Sequence, residues 1–235
     1  LMLAAANGHT ETAKLLVEKG ANIEATDKDG KTPLMRAAFF GRTETAKLLV
    51  EKGANIEGTD KAGKTPLRWA AARGHTETAK LLVEKGANIE ATDKDGWIPL
   101  IWAMAEGHTE IAKLLVEKGA NIEATDKDGN TPLMLALEKG HTEIAKLLVE
   151  KGANIEATDK DGNTPLMLAA YKGRTETLRF LLDRFAKAEA TGKDGATSLI
   201  WGSASAVQKA LTSGDIAARE RLVVALGESG AASVP

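Results

Sequence analysis

The string AKLLVEKGANIE recurs unchanged from Ala13, Ala46, Ala79, Ala112 and Ala145, at intervals of 33 residues. A degraded sixth copy spans Leu178 to Glu189. No other property of the chain constrains its fold as much as this period. It means one supersecondary unit copied in tandem, each copy burying its apolar side against the next.

The unit from Asp27 to Thr59 can be read residue by residue. Asp27-Lys28-Asp29-Gly30 has the composition of a turn, with Asp opening it and Gly closing it. Thr32 is a suitable N-cap, and Pro33 suits the first helical position, where a missing N–H is no loss. Leu34, Ala37 and Ala38 follow at helical spacing and predict a short helix ending near Gly41. Thr43 and Glu44 open a second helix with Ala46, Leu48, Leu49 and Val50 on its apolar side. Gly53 follows the last periodic residue and is expected in the left-handed C′ conformation. Ala54 to Gly58 is expected to run extended into the next turn. Neither helix is long enough to be stable alone in water, so stacking must supply the stability.

These residues resemble the ankyrin repeat. The family's signature stands here as Asp27…Gly30-Lys31-Thr32-Pro33-Leu34…Ala37-Ala38…Gly41, then Glu44, Leu48-Leu49 and Gly53-Ala54. It recurs from Asp60, Asp93, Asp126 and Asp159. The resemblance implies an all-α solenoid of stacked helix-turn-helix units joined by extended or hairpin loops. Residues 1–235 are expected to form a single domain. It opens with a partial repeat (1–26), followed by five full repeats (27–59, 60–92, 93–125, 126–158 and 159–191). A degenerate C-terminal capping repeat (192–230) and a tail (231–235) complete it. The cap is expected to hold two helices, from Ser198 to Leu211 and from Asp215 to Leu226. Leu1 aligns with Leu34, inside a first helix, so more sequence is expected to precede it.

Several positions depart from the family pattern. Phe185 stands where the other copies carry the C′ glycine, so the sixth unit cannot end its second helix as they do. Ile98 replaces the capping threonine, a loss of about 1 kcal/mol. Met35, Arg68, Ile101, Met134 and Met167 occupy a place where the family often has histidine, so packing must replace hydrogen bonds there. Glu57 and its copies replace the asparagine that is a hydroxylation target in many ankyrin proteins, and that modification is not expected.

Charge and composition narrow the function classes. Thirty-one basic residues face thirty-three acidic ones, for a formal charge of −2. Lysines alternate with acids at every turn, so no basic field exists to draw in nucleic acid. The absence of cysteine rules out disulfides, thiolate metal sites and cysteine nucleophiles, and it fits a reducing compartment. Apolar runs such as Leu100 to Ala105 are too short to span a bilayer, and no signal-peptide pattern is visible. An intracellular, cytoplasmic chain without a membrane partner is expected. No G-x-S-x-G, Walker-type or G-x-G-x-x-G element occurs, so neither enzyme chemistry nor a cofactor is expected.

His9, His75, His108 and His141 share one place after the glycine between helices, with Arg42 and Arg174 in two copies. Stacked equivalents lie about 8–10 Å apart, too far to share a zinc ion whose ligands sit at about 2.0–2.1 Å. No metal is expected. Each histidine is expected to hydrogen-bond across its own loop. Glu44, Glu51, Glu57 and their copies read as a solvated face.

The second helices are nearly identical, whereas the turns and first helices vary. Seven of nine aromatics lie there: Phe39, Phe40, Trp69, Trp97, Trp102, Tyr171 and Trp201. In ankyrin proteins these regions form the concave binding surface, and aromatic and Arg residues dominate interface hot spots. The candidate partner-binding residues are therefore Phe39, Phe40, Trp97, Arg36, Arg68, Trp69, Arg73, Trp102 and Tyr171, with Arg36 placed to stack on Trp69. Trp69, Trp102 and Trp201 share a slot with Leu3, Leu135 and Leu168, which points to inter-repeat core more than to partner contact. Polar groups replace Phe39, Phe40 and Trp97 in other copies, so these three read as contact residues.

The resemblance implies a monomeric, non-catalytic protein–protein interaction module that binds a protein partner on that face. The alternative is a structural spacer or targeting module of a larger protein whose catalytic domain lies outside these residues.

Overall fold

A computed structural model describes the backbone of residues 1–190 and the side chains of residues 1–184. The predicted cap, 192–230, and Trp201 lie outside the described residues. Those described form twelve α-helices and no strand. In chain order they are α1 (Met2–Asn7), α2 (Thr10–Glu18), α3 (Pro33–Phe39), α4 (Thr43–Glu51), α5 (Pro66–Arg73) and α6 (Thr76–Glu84). Then come α7 (Pro99–Ala105), α8 (Thr109–Glu117), α9 (Pro132–Lys139), α10 (Thr142–Glu150), α11 (Pro165–Tyr171) and α12 (Thr175–Ala190). They fall into two compact units, residues 1–127 and the part from Asp128 on.

Each first helix starts where the sequence places it. Thr32 Oγ1 accepts the Met35 N–H at 3.3 Å, and Thr65 Oγ1 accepts the Arg68 N–H at 3.2 Å. Ile98 makes no such bond. Its side chain is buried instead, so apolar burial offsets part of the missing cap. Second helices end at a lysine followed by a left-handed glycine, as at Gly53 with φ +89°. With Phe185 in that place, α12 continues to Ala190 and spans 16 residues instead of nine.

In the first unit, α1, α3, α5 and α7 pack side by side, and so do α2, α4, α6 and α8. Ala37, Ala38, Ala70 and Ala71 are fully buried between first helices, where a larger side chain would hold the backbones apart. Leu34, Leu49, Leu67, Leu82, Leu100 and Leu115 fill the interior, while Leu48 and Val50 are only half-buried. In the second unit, α9 packs on α11 and α10 on α12, over Leu133, Leu148, Leu166 and Leu181.

Polar links between repeats accompany the core. Threonine hydroxyls pair at 2.8 Å from Thr10 to Thr45 and from Thr43 to Thr78. Three expectations need correction. The segment after Gly53 is not extended: Asn55 makes a turn, its carbonyl accepting the Gly58 N–H and its side chain the Glu57 N–H. The repeated glutamates are exposed but are not merely solvated. Glu24, Glu57 and Glu90 each accept the backbone N–H of Asn55, Asn88 or Asn121 in the following repeat, at 2.8–2.9 Å. Two of the four histidines reach beyond their own loop, while His141 Nε2 is buried without a partner among the described residues. His75 Nε2 donates to Phe39 O at 2.9 Å and His108 Nε2 to Ala72 O at 3.3 Å, each 36 residues back, in the preceding repeat. A carbonyl only accepts, so Nε2 carries the proton. Arg42 makes the same link to Ala6 O at 3.0 Å. The close approach also explains the preceding glycine: a Cβ at Gly74 would lie 2.7 Å from the His108 ring.

Candidate functional site

The turns before α3, α5 and α7 are built around an aspartate. Asp60 Oδ1 accepts the backbone N–H groups of Ala62 and Lys64 at 2.8 and 3.0 Å, which closes the turn. Its second oxygen accepts the Trp69 Nε1–H at 3.2 Å, nine residues on. Asp93 repeats the arrangement with Asp95 and Trp97 N–H and with Trp102 Nε1 at 2.9 Å. Asp27 does so with Asp29 and Lys31 N–H and with the Arg36 guanidinium. Burial pushes the Asp27 carboxyl up, but the Lys31 N–H, Arg36 and the Asp29 N–H outweigh it and hold the group below the usual carboxylate range.

This corrects one expectation. Arg36 does not stack on Trp69, because the turn aspartate in its own repeat claims its guanidinium. Other cations take that place. Lys31 Nζ lies 4.8 Å and Lys64 Nζ 5.0 Å from the Trp69 ring centre. Arg68 lies 4.5 Å from Trp69 and 3.7 Å from Trp102. Only 3 % of Arg68 is exposed, and its Nε stands 3.6 Å from Asp93 Oδ2. Burial lowers its pKa, with Asp93 acting against that shift. Arg68 is thus buried against the two indoles.

The aromatics form a continuous row along the turns and first helices. Phe40 meets Phe39 at 4.8 Å between ring centres, and Phe39 meets Trp69 at 5.0 Å. Arg68 and Lys64 join Trp69 to Trp102, and Trp102 meets Trp97 at 4.7 Å. Arg73, exposed at the end of α5, lies 4.2 Å from the Phe39 ring centre. Phe40 is 39 % exposed, Phe39, Trp97 and Trp102 are half-buried, and Trp69 is buried. Trp97 Nε1 is itself buried and has no hydrogen-bond partner among the described residues.

Of the nine candidates, the first unit gathers Phe39, Phe40, Arg68, Trp69, Arg73, Trp97 and Trp102 into this row and turns Arg36 into the Asp27 turn. Tyr171 belongs to the second unit. It is 69 % exposed, with Lys172 Nζ 5.6 Å from its ring centre, and it lines a recess of about 400 Å³ with Glu138, Asp159, Asp161 and Asn163.

Reasoning from sequence missed Lys31 and Lys64, which line the row beside Trp69. The signal was available, since both stand four places after a turn aspartate. Among the described residues no three His, Asp or Glu side chains are grouped to hold a metal ion, and no helix is long and apolar enough to cross a membrane.

A family model described as ankyrin repeats (3 copies) matches residues 1–93, 57–126, 89–159, 123–194 and 151–214. No curated protein matches the chain.

Proposed function

The chain belongs to the ankyrin-repeat family, whose repeats generally serve as non-catalytic protein–protein interaction modules; on that premise we propose that it binds a protein partner through the row from Phe40 to Trp97. The exposed Phe40 carries the reading. Its ring continues the row outward into solvent at a place where other repeats have Arg73, Glu106 and Lys139. A solvated aromatic that neighbours on the same frame do not need for packing is the kind of side chain that anchors an interface.

The row is also held in advance. The Trp69 and Trp102 indoles are bonded to their turns and flanked by Arg68, so little side-chain entropy remains to be lost on binding. Binding is expected to be that of a monomer, without nucleic acid, membrane or cofactor.

Affinity capture from a source-cell lysate tests the reading. Phe40→Ala should weaken capture of the principal partner by about 1–4 kcal/mol and leave the unfolding midpoint nearly unchanged. Lys47→Ala, on the exposed side of α4, should leave capture intact. A partner lost with Lys47→Ala and kept with Phe40→Ala would place the binding face elsewhere and overturn the proposal.

A further inference from the structure

We propose that the recess beside Trp69 receives a carboxylate side chain of the partner, with an apolar residue next to that acid resting on Phe40. This deepens the reading above and rests on it.

The recess measures about 330 Å³ and is lined by Asp29, Lys31, Asp60, Lys61, Lys64 and Trp69. It is too small for a whole folded element and suits one side chain. Its charges do not balance once existing bonds are assigned. Asp60 is fully engaged, with one oxygen on the Ala62 and Lys64 N–H groups and the other on the Trp69 indole. Asp27 holds Arg36, and Asp93 serves its own turn, Trp102 and Arg68. Asp29 remains, half-exposed and 3.6 Å from Lys31. Lys64 forms no ion pair among the described residues, and neither does Arg73. Asp60, Asp93 and Asp95 act on Lys64 through space, but burial and the Arg68 charge prevail, and its pKa lies below the ordinary lysine value. A group so placed gains most from an incoming anion, which restores the counter-charge that burial and Arg68 deny it.

The geometry also favours a carboxylate beside an apolar group over a nucleic acid strand. Strand binding needs free ring faces on which bases can stack. Here cations already lie against them: Lys31 and Lys64 against Trp69, Arg68 against Trp102 and Arg73 against Phe39. No cation lies over Phe40 among the described residues, and its exposed ring offers apolar area to a neighbouring side chain.

The test is a selection of displayed random dodecapeptides on the full chain, followed by affinity measurements on the enriched peptides and on an oligothymidylate. Enriched peptides should share an Asp or Glu next to a large apolar residue. Changing that acid to its amide, or Lys64→Glu in the protein, should weaken binding about tenfold or more, and Lys64→Gln should do so to a lesser degree. Circular dichroism melts of both variants should match the parent. Enriched peptides that lack the acid but lose affinity with Phe40→Ala overturn the carboxylate site and leave the binding face standing. Peptides indifferent to both Lys64 and Phe40, or no enrichment at all, overturn both. Oligothymidylate binding that Lys64→Glu abolishes would mean the recess takes phosphate backbone and would overturn this proposal too.

Discussion

The two units use the same turn aspartate in different ways. In the first, Asp60 and Asp93 each spend one oxygen on the turn and send the other to an indole nine residues on, in the first helix. In the second, Asp159 keeps both oxygens inside its own turn. One accepts the Asp161 and Asn163 N–H groups, and the other takes the Asn163 side-chain amide at 2.9 Å. The cause is in two slots. Four places after the aspartate the first unit has Lys31, Lys64 and Trp97, while the second has Asn163 after Asp159. Nine places after it the first unit has Arg36, Trp69 and Trp102, while the second has Leu168. A leucine has nothing to donate, and an asparagine four residues from an aspartate needs no distant partner. One frame therefore yields a row of cation-flanked aromatics in one unit and, among the described residues of the other, a polar recess beside the exposed Tyr171.

Trp69→Leu imports the second unit's residue and should have the largest effect. It removes the indole bond to Asp60, the contact with Phe39 and the seat for Lys31 and Lys64. A loss of about 2–4 kcal/mol is expected from the lost ring and the orphaned acceptor together, read as the midpoint of a guanidinium melt. Adding Lys64→Asn completes the exchange. The new amide should occupy the free Asp60 oxygen, as Asn163 does on Asp159, and recover about 1 kcal/mol. A double variant no more stable than Trp69→Leu alone would show that the two arrangements are not interchangeable solutions to one turn.

Much of this frame was legible before any coordinates. Thr-Pro marks the start of α3, α5, α9 and α11, Gly53 and its copies mark the ends of the nine-residue second helices, and Phe185 shows that the sixth unit cannot end its second helix in the same way. Those signals are local: a cap or a left-handed residue acts within one turn of itself. What could not be read were the couplings across the turn or across the repeat boundary. The slot shared by Trp69 and Leu168 looks like core from its composition. Periodicity places it on a helix face but does not show that this face looks back at Asp60. His75 reads as a bond within its own loop for the same reason, since sequence distance hides that Phe39 O, 36 residues back, lies within hydrogen-bond reach. The sequence leaves Arg36 able to stack on Trp69, but its own repeat offers the Asp27 carboxylate, and the charged partner wins over the ring because a charge-assisted bond is the stronger interaction.

Arg68→Met should have a smaller effect, and in the opposite direction. Met35, Met134 and Met167 fill the same slot, so the frame accepts methionine there. Arg68 is buried with its Nε making no hydrogen bond, and Asp93 keeps three other donors without it. Replacing a buried, imperfectly bonded cation by an apolar side chain is often neutral or stabilising, and a gain of about 1 kcal/mol is expected in the same guanidinium melt. Peptide binding should fall even so, because the Trp69 and Trp102 rings would lose the guanidinium that fixes their spacing. A variant that loses stability instead would mean that Arg68 is part of the frame, and the contrast between the units would then extend to their cores.

The smallest expected effect is at Trp97, one of two indoles that touch each other. Trp102 Nε1 donates to Asp93, whereas Trp97 Nε1 is buried without a partner. Trp→Phe removes one N–H and a similar area of ring at either place. At Trp102 it also breaks a bond to a carboxylate, and about 1–3 kcal/mol should be lost. At Trp97 it removes a donor whose burial already costs about that much, so the lost ring area is offset and the midpoint should move by about 1 kcal/mol or less. The first unit would then hold one indole that belongs to the turn and one that does not, and Trp97 could be exchanged freely in binding experiments. Equal losses at the two positions would show that Trp97 Nε1 is satisfied in solution, by an ordered water or a shift of the turn, and that both indoles are structural.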